Sequence, residues 1–563
     1  MKPAHEKYIP FVPLKMTRRA WPDRELKAPP VWCSVDLRDG NQALIDPMNV
    51  REKLELFHTL VDIGVKEIEV GFPSASETEY EFIRTLIEGG HIPDDVTIQV
   101  LVQAREHLIR RTFEAIDGAK HVIFHFYNST STLQRKVVFH TDVEGVKKIA
   151  MDAARLIREL SQPALDAGMD LRYEYSPESF MGTEMDAAVE ICQAVIEAIG
   201  ATPERKVILN LPTTVENCMP NYFADEIEYF ISRLPGRDRA IISLHPHNDR
   251  GEGVATAELG LLAGAERVEA TLFGNGERTG NVDMVTLALN LYTQGVDPKL
   301  DFSDINKIRD VYERVTKMKI GERQPYVGEL VFTAFSGSHQ DAINKGTRYM
   351  EESGTEYWEV PYLPIDPADV GRQYEPIIRI NSQSGKGGSA FVMQHSFGFD
   401  LPKAMHPEFG HIVQVETDRV GKELKPNAIY DLFKAHYIDA VKPYQLVQHS
   451  FAEFTDEEGH SHVTFAGAIR HTDTVFQVQG SGNGPIDAFF NAIHGQKMDR
   501  FTFIDYKEHA VKQGSDSQAV AYIHLQDENG RDWFGVGMSH NINLAPLKGI
   551  LSAINRAVSH DGK

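Results

Sequence analysis

Between residues 31 and about 295, short apolar runs rich in β-branched residues alternate with longer stretches that repeat apolar residues at helical spacing. The short runs predict strands and the longer stretches predict helices, which gives eight strand-then-helix units. Nearly continuous apolar runs of this kind are typical of parallel strands covered on both faces. Eight units close a TIM (β/α)8 barrel, the α/β fold class that we expect. The predicted strands begin at Val31, Lys66, Thr97, His121, Asp170, Lys206, Ala240 and Arg267.

A doubly wound open sheet is the alternative fold for an alternating pattern. Such a sheet usually has fewer strands, and its first strand leads into a glycine-rich turn. The first predicted strand of this chain leads into DLRDGNQ (36–42) instead. The barrel is therefore the preferred interpretation.

The pattern changes beyond the barrel. Residues 301–315 predict a further helix, and residues 336–440 mix helical segments with turn-rich stretches, as helical linker subdomains do. In residues 441–563, paired strand-like runs twice lead into a helix: first HVTFAGAI and TVFQVQG, then AVAYIHLQ and DWFGVGM. DENG joins the second pair and is a hairpin signal. We expect an α+β domain built from two βββα-like repeats that regulates or dimerises the protein.

The predicted parts account for the whole length of 563 residues, which corresponds to about three or four domains. They are an N-terminal extension (1–30), a catalytic barrel (31–335), linker subdomains (336–440) and a regulatory domain (441–563). The apolar fraction of 42% is that of a globular protein and excludes wholesale disorder.

Charge and cysteine content narrow the class of protein. The net charge of −23 argues against duplex nucleic acid as a partner, because phosphate neutralisation dominates such binding. No apolar run approaches the roughly 18 residues of a membrane span, and the N-terminus has no signal-peptide core. The three cysteines, Cys33, Cys192 and Cys218, form no CxxC pair, which fits a reducing cytoplasm. We expect a cytoplasmic protein that contacts neither nucleic acid nor membrane.

The clearest candidate chemistry is a metal site. Active sites of TIM barrels lie at the C-terminal ends of the strands. The seventh predicted strand ends in His245 and His247, which point to the same face because they are two residues apart. With Asp39 after the first strand, they form a two-histidine, one-carboxylate set that leaves positions open for substrate. Asn281, after the eighth strand, is either a further oxygen ligand or a helix cap.

Other predicted strand ends carry polar residues, namely Glu69, His125, Glu174 and Thr214. A carboxylate inside a barrel is costly unless it is paired, so Glu174 is either functional or an ion-pair partner of Arg172. Asp249 is either a partner of a ligating histidine or a helix N-cap. The glycine-rich stretches SGKGG (384–388) and GNGERTGN (274–281) match no nucleotide-binding pattern, so they predict no nicotinamide or ATP site.

A family resemblance rests on long motifs. At DLRDGNQ (36–42), HPHNDRG (245–251) and GNGERTGN the chain resembles the DRE-TIM metallolyases, which include acyl-CoA-dependent Claisen-condensing enzymes. At NLPTTVE, YEYSPESF, FTAFSGSHQDAINKG and VPYLPIDPADVGR it resembles the 2-isopropylmalate synthase family of the longer bacterial and fungal type. The resemblance covers nearly the whole chain except the first thirty residues.

The resemblance implies roles for particular residues. It makes Asp39, His245, His247 and Asn281 the divalent metal ligands, and it gives Arg38 the task of stabilising the developing enolate or alkoxide. It also makes His339 and Tyr362 a catalytic pair supplied by the linker subdomain of the neighbouring protomer, and His125, Glu174 and Thr214 residues of the keto-acid pocket. Either His339 or Glu174 removes the thioester's methyl proton, and we favour His339. Without the resemblance, His339 would be interpreted as a helix-cap or surface histidine and Tyr362 as a packed loop aromatic.

The implied activity is condensation of acetyl-CoA with 2-oxoisovalerate, followed by thioester hydrolysis to 2-isopropylmalate and CoA, the first committed step of leucine biosynthesis. The implied cofactor is a divalent metal, with Mg²⁺ favoured and Mn²⁺ or Zn²⁺ as alternatives. Citramalate or homocitrate synthase, a CoA-independent metal-dependent aldolase or lyase, and a non-catalytic amino-acid-sensing scaffold are the alternative functions.

The implied assembly is a homodimer inhibited by leucine. The turn at Gly480, Gly482, Asn483 and Gly484 is the candidate regulatory site, since backbone donors at a helix start can hold a small zwitterion. Alternatively, this turn only links strand to helix, and the domain only dimerises the protein.

Overall fold

The computed structural model describes residues 3–334, 336–374, 388–420, 424–455, 461–494, 498, 500–511 and 517–561. The glycine-rich stretch at 384–387 falls outside these ranges. The described chain divides into two compact units, one made of residues 1–332 and 364–374 and the other of residues 333–363 and 375–563. No helix in the described part of the chain is long and apolar enough to cross a membrane.

The first unit contains a closed barrel of eight parallel strands in sequence order. The barrel is closed by pairing of the first strand with the last, in a register that sets Val31 opposite Arg267 and Cys33 opposite Glu269. The predicted TIM barrel is therefore confirmed, and every predicted strand start lies within one residue of the observed one. The strands are β1 Val31–Ser34, β2 Glu67–Gly71, β3 Thr97–Gln103, β4 His121–Ser129, β5 Asp170–Glu178, β6 Val207–Pro212, β7 Ala240–His245 and β8 Arg267–Ala270.

Helices connect the strands and begin and end where local sequence signals require. Asn49 and Glu52 form a reciprocal capping box at the first helix, and Gly64 ends that helix in the left-handed conformation. The helices are α1 Val50–Ile63, α2 Glu77–Glu88, α3 Glu106–Ile116, α4 Thr132–Gln134, α5 Val143–Asp166, α6 Met185–Ile199, α7 Pro220–Arg233, α8 Gly253–Leu262, α9 Met284–Tyr292 and α10 Ile305–Thr316.

The inside of the barrel is polar, which the apolar strand pattern did not indicate. Arg267 of β8 donates to Glu67 of β2, and Gln99 of β3 donates to Glu269 of β8. These bonds join strands across the closed sheet, so the side chains lie inside it. The outward-facing positions, such as Ile68 and Val70, are fully buried by the helix layer. The prediction that the strands are buried on both faces was correct, but only the outer face is apolar.

Among the described residues of the second unit, four α-helices come first: α11 Gly337–Ser353, α12 Gly388–Phe397, α13 His406–Val420 and α14 Pro426–Phe433. Two three-stranded antiparallel sheets follow, and each leads into a helix. This confirms the predicted pair of βββα-like repeats, and the DENG hairpin joins the strands that were expected. The first repeat is β9 Tyr444–Thr455, β10 Ser461–His471, β11 Thr474–Gly482 and α15 Pro485–Ile493, and the second is β12 Phe501–Ala510, β13 Ala519–Asp527, β14 Asp532–Ser539 and α16 Leu544–Asp561.

Both repeats pack strand against helix through glycine. A Cβ atom added at Gly480 or Gly482 of β11 would overlap the backbone of α15. A Cβ atom added at Gly535 or Gly537 of β14 would likewise overlap the backbone of α16. Each repeat therefore uses a Gly-x-Gly strand segment to let a helix approach at backbone distance.

Candidate active site at the barrel mouth

A cavity of about 240 Å³ opens at the C-terminal ends of the barrel strands. This is the position at which TIM barrels carry their active sites. Six residues singled out from the sequence line it, namely Arg38, Asp39, His125, Thr214, His245 and His247. These six residues therefore converge on one cavity, whereas Glu69, Glu174 and Asn281 do not line it.

Asp39, His245 and His247 lie close together in the lining of this cavity, and one ligand atom of each lies within 4.8 Å of the others. The Nε2 atoms of His245 and His247 lie 3.4 and 4.0 Å from Oδ2 of Asp39. All three residues are buried. The local backbone explains the convergence, because β7 ends at His245, whereas Asp39 lies in a π-helical turn (Asp36–Gly40) that follows β1.

Glu269 fixes the orientation of His245. Its Oε2 lies 2.7 Å from Nδ1 of His245, so Nε2 is the ring nitrogen that faces Asp39. Burial alone would lower the pKa of His245, but Asp39 and Glu269 raise it to about 9. Burial and the neighbouring His245 lower the pKa of His247 to about 4. The two imidazoles thus have different electrostatic environments, although they lie on one strand end.

Asn281 lies beside the same carboxylate. Its Nδ2 donates to Oδ2 of Asp39 at 2.9 Å, whereas its Oδ1 is buried without a hydrogen-bond partner. The following helix, α9, is capped by the side chain of Asp283, which accepts from Val285 and Thr286. Asn281 is therefore not the cap of that helix, and its amide is directed to the Asp39 cluster.

Arg38 is held against the metal-site candidates by two carboxylates. Its Nη1 donates to Oδ1 of Asp39 at 2.6 Å, and its Nε donates to Glu69. Burial would lower the pKa of Arg38, but Asp39 and Glu69 raise it, so the guanidinium stays charged. The cation faces the cavity from a fixed position.

His125 also lines the cavity and is connected to Arg38 through Glu69. Its Nδ1 is 2.9 Å from Oε2 of Glu69, and its Nε2 is 2.8 Å from Oγ of Ser176. Both ring nitrogens are thus occupied within the barrel, which fixes the imidazole plane.

Glu174 lies one layer below the cavity. Its carboxyl group is fully buried and 3.3 Å from Nη2 of Arg267, whereas Arg172 instead donates to Glu67 at 2.7 Å. Burial raises the pKa of Glu174 well above its ordinary value, and Arg267 opposes this only in part. Glu178, which lies further along β5, lines the cavity instead and accepts a hydrogen bond from Ser129.

Thr214 and Asp249 belong to the loops after β6 and β7. Thr214 has a left-handed backbone (φ 41°), and its hydroxyl oxygen accepts from the backbone of Ser179 at 2.9 Å. Asp249 pairs with Arg278 at 2.6 Å and accepts from the backbone of Glu216. Asp249 therefore neither caps α8 nor accepts a hydrogen bond from His245 or His247. Instead, it connects its own loop after β7 to the loops after β6 and β8.

The second unit carries His339 and Tyr362. Their rings stack with centroids 4.0 Å apart and an interplanar angle of 22°. His339 lies in the first turn of α11 and is exposed, and Tyr362 is 61% exposed with a left-handed backbone (φ 66°). Two residues that are distant in sequence and were grouped only by family resemblance are therefore adjacent.

The candidate regulatory turn follows β11. Gly480 and Gly482 contact α15 through the backbone, as described above, and the backbone of Asn483 donates to Asp487 at 2.9 Å. Gly484 is the N-cap residue of α15, and no atom lies within 4 Å of the Cβ position there. There is free space beside Gly484, whereas packing against α15 leaves none beside Gly480 and Gly482.

Sequence reasoning missed Glu178, Glu269 and Arg278. Glu178 and Glu174 lie on the same face of β5. They differ only in their distance from the C-terminal end of the strand, where the cavity lies. Glu269 is two residues after the start of β8, where the alternation of Arg267 and Glu269 was a usable signal of a polar inner face. Arg278 lies within GNGERTGN, which was considered only as a nucleotide-binding pattern and as the source of Asn281.

Comparisons with known proteins agree with the geometry. Family models match three segments: "HMGL-like" at residues 29–312, "Alpha-isopropylmalate synthase, post-catalytic domain-like" at 329–394 and "LeuA allosteric (dimerisation) domain" at 423–558. A 2-isopropylmalate synthase of Clostridium acetobutylicum is 53% identical over 556 residues, which cover 98% of this chain and 99% of the relative. That of Brucella suis is 53% identical over 557 residues (99% and 99%), and that of Mesorhizobium japonicum 52% identical over 565 residues (100% and 100%).

Among solved structures, a hydroxymethylglutaryl-CoA lyase from Pseudomonas aeruginosa aligns with 53% of this chain and 97% of its own. The TM-score is 0.42 and the sequence identity is 18%.

Proposed function

The chain belongs to the 2-isopropylmalate synthase family, and from this premise we propose that it condenses acetyl-CoA with 2-oxoisovalerate and hydrolyses the product thioester. The products are 2-isopropylmalate and CoA, and the reaction is the first committed step of leucine biosynthesis. In class it is an acyltransferase that converts the acyl group into an alkyl group on transfer (EC 2.3.3). The observation that carries the proposal is the cluster of Asp39, His245 and His247 beside Arg38, in a chain with full-length relatives of this name.

The family is divalent-metal dependent, and the residues present fit such an ion. Two imidazole Nε2 atoms and a carboxylate oxygen converge, and the buried Oδ1 of Asn281 lacks a partner. Asp39, His245 and His247, with Asn281 as a further oxygen donor, would hold the ion. When bound, the ion supplies Lewis acidity and a template for the keto acid. We propose Mg²⁺ as the physiological ion, with Mn²⁺ or Zn²⁺ as alternatives.

Arg38 supplies a permanent cation where negative charge develops. Its guanidinium offers a planar fork of donors, and Asp39 and Glu69 hold it in place before the substrate arrives. A donor that is oriented in advance stabilises an enolate or alkoxide without reorganising at the moment of reaction.

His339 is the proposed base that removes the methyl proton of acetyl-CoA, with Tyr362 orienting it or protonating the new alkoxide. Histidine is suited because its ordinary pKa is near neutrality. The position of Glu174 favours this choice, because its carboxyl group is fully buried and does not line the cavity. We propose that the histidine–tyrosine pair of one protomer acts at the cavity of its neighbour, as the resemblance implies, which makes the homodimer part of the proposal.

The keto-acid pocket is proposed to use Thr214 as a polar contact and His125, whose ring nitrogens bond Glu69 and Ser176, as part of its wall. Leu101 and Pro212 line the same cavity and offer apolar surface to a branched alkyl group. Homocitrate synthase would need a cation for a distal carboxylate, and citramalate synthase would need a smaller cup. Leu101 and Pro212 suit a branched alkyl group, and the guanidinium groups of Arg38 and Arg278, which also line the cavity, are already paired with carboxylates. We therefore propose 2-oxoisovalerate rather than 2-oxoglutarate as the substrate.

Leucine is the proposed inhibitor, bound in the C-terminal domain that matches the allosteric dimerisation family. The turn at Gly480, Gly482, Asn483 and Gly484 is the proposed place, with Gly484 as its open position. A cytoplasmic location is also part of the proposal and agrees with three buried free thiols.

A CoA-release assay tests the function. The full-length protein would be assayed with 2-oxoisovalerate, pyruvate and 2-oxoglutarate, each with and without a chelator. We expect preferential turnover of 2-oxoisovalerate that chelation abolishes and added Mg²⁺ restores. Preferred turnover of pyruvate or 2-oxoglutarate would change the substrate, and absence of CoA release with all three would refute the enzyme proposal.

A further inference from the structure

Three loops at the barrel mouth each carry a non-glycine residue in the left-handed conformation. They are Ser179 after β5 (φ 60°), Thr214 after β6 (φ 41°) and Arg278 after β8 (φ 58°). Residues with a Cβ atom rarely adopt this conformation, and it persists only where surrounding contacts impose it. Contacts within these loops must therefore hold the three residues in this conformation.

The three residues are joined in series by hydrogen bonds. The backbone N–H of Ser179 donates to Oγ1 of Thr214 at 2.9 Å, and Nη2 of Arg278 donates to the carbonyl oxygen of Thr214 at 2.5 Å. Thr214 is thus held both at its side chain and at its backbone. Because its hydroxyl oxygen already accepts a bond, the hydroxyl hydrogen is left to donate elsewhere, and Thr214 lines the cavity.

Arg278 is itself fixed by Asp249. Nε and Nη2 of Arg278 donate to the two carboxylate oxygens of Asp249 at 2.6 and 3.1 Å. Asp249 also accepts from the backbone N–H of Glu216 at 2.9 Å, two residues after Thr214. The guanidinium therefore ties the loop after β8 to the loops after β6 and β7 through a planar fork, which a lysine ammonium cannot reproduce.

We propose that Arg278 is a positioning residue for the keto acid, fixing the loop after β6 so that the Thr214 hydroxyl donates to the carboxylate of the substrate. This inference rests on the proposed function, because it takes an anionic 2-oxo acid as the acceptor. Arg278 acts through Thr214 rather than on the reacting atoms. Its loss therefore weakens ground-state binding more than it slows the chemical step.

A competing role for the same side chain is direct contact with a substrate anion, since Arg278 also lines the cavity. The two roles differ in what a lysine can replace. Direct attraction of an anion needs only a cation, which Arg278→Lys retains. Positioning needs the fork that bonds Asp249 and Thr214 together.

A double-mutant cycle tests the proposal, with Arg278→Met, Thr214→Val and the double variant assayed for kcat and for the KM values of both substrates. We expect Arg278→Met and Thr214→Val each to raise the KM for the keto acid by about tenfold or more, the loss of one charge-assisted hydrogen bond. The double variant should be no worse than Thr214→Val, because Arg278 acts through that hydroxyl. The KM for acetyl-CoA should stay at the wild-type value.

Further variants separate positioning from other effects. Arg278→Lys and Asp249→Asn should raise the KM for the keto acid as Arg278→Met does, even though both leave a cation near the cavity. Arg250→Met is the matched control, because Arg250 forms an exposed ion pair with Glu252 in the neighbouring loop and its side chain does not bond Thr214. Thermal unfolding of each variant would show whether the fold is retained, and Asp249→Asn serves if Arg278→Met does not fold.

Effects of Arg278→Met and Thr214→Val that add fully in the double variant, a wild-type KM in Arg278→Lys, or a rise confined to acetyl-CoA would overturn the proposal. Failure of the wild-type protein to turn over 2-oxoisovalerate would refute the proposed function instead. The wild-type assay therefore distinguishes the two failures.

Discussion

The inside of the barrel and the core of the C-terminal repeats are both fully buried, yet they are built from opposite kinds of residue. The barrel encloses carboxylates, guanidinium groups and amides, including Glu67, Glu269 and Arg267. The C-terminal core consists of apolar residues such as Phe465 and Ile523. The first region holds groups in one orientation, whereas the second contributes stability through burial of apolar surface.

The barrel interior shows that the pKa of a buried carboxyl group depends on which charged groups lie beside it. In the barrel, burial would raise the pKa of Glu269, but His245 and Arg267 hold it well below its ordinary value. Glu174, with Arg267 as its cation at 3.3 Å and two carboxylates nearby, has a strongly raised pKa. The pKa values of adjacent carboxyls in one network are thus shifted in opposite directions because their partners differ.

The largest expected effect comes from removing the central cation of the barrel. Arg267→Met leaves Glu269 without its guanidinium and Glu67 with Arg172 alone, and breaking a buried ion pair in this way costs about 3–5 kcal/mol. Ile523→Val in the C-terminal core is the matched control and should cost about 0.5–1.5 kcal/mol. Hydrogen exchange of the full-length chain, compared between barrel and C-terminal peptides, would measure both. Equal costs would remove the contrast between the two regions.

A second test asks whether the polar interior serves the metal site. Glu269→Gln weakens the hydrogen bond that orients His245, so we expect Mn²⁺ affinity to fall by about 10- to 100-fold in calorimetric titration. Glu67→Gln is the control, because Glu67 bonds Arg172 and Arg267 but no proposed ligand. The same loss of affinity in both variants would mean that the network acts only through stability.

A third test concerns the glycine contacts of the apolar region. Gly537→Ala would force a methyl group into the backbone of α16, and overpacking of this kind costs about 1–3 kcal/mol. Gly321→Ala is the control, because its Cβ position is open and its φ is not positive. Thermal unfolding would compare the two. A harmless Gly537→Ala would show that strand and helix separate easily.

A fourth test uses the buried carboxyl of Glu226, whose Oε2 has no hydrogen-bond partner among the described residues. Burial and Asp225 raise the pKa of Glu226 to about 8. Between about pH 4.5 and 8, the folded state therefore holds a proton that the unfolded state has lost, and stability falls as pH rises, by at most about 1.4 kcal/mol per unit. Glu226→Gln should flatten this slope in urea unfolding measured from about pH 5 to 8. Parallel curves for wild type and variant would contradict the argument.

The sequence was sufficient for the strands and for the metal-site candidates. The starts of β1 to β8 follow from local apolar runs, and His245 and His247 converge because two-residue spacing puts both on one face. Both signals come from residues close together in the sequence, so one sequence is enough to recognise them.

Other parts of the candidate site could not be predicted, because they depend on the position of a residue along the barrel axis or on contacts between segments distant in sequence. Glu174 and Glu178 lie on the same face of β5, and only the closed barrel shows that the latter faces the cavity. The stacking of His339 on Tyr362 has no periodic signal. The pairing of Arg278 with Asp249 also joins two loops whose proximity results from barrel closure.

The Gly-x-Gly contacts in the two C-terminal repeats limit how an effector signal can travel through that domain. At these glycines β11 meets α15 and β14 meets α16 at backbone distance, so the strand has no side chain there that could change rotamer as the helix moves. Each repeat is therefore expected to behave as a rigid body. A ligand in this domain would act by rotating one repeat against the other, and labels placed one per repeat would report the motion that labels within a single repeat would miss.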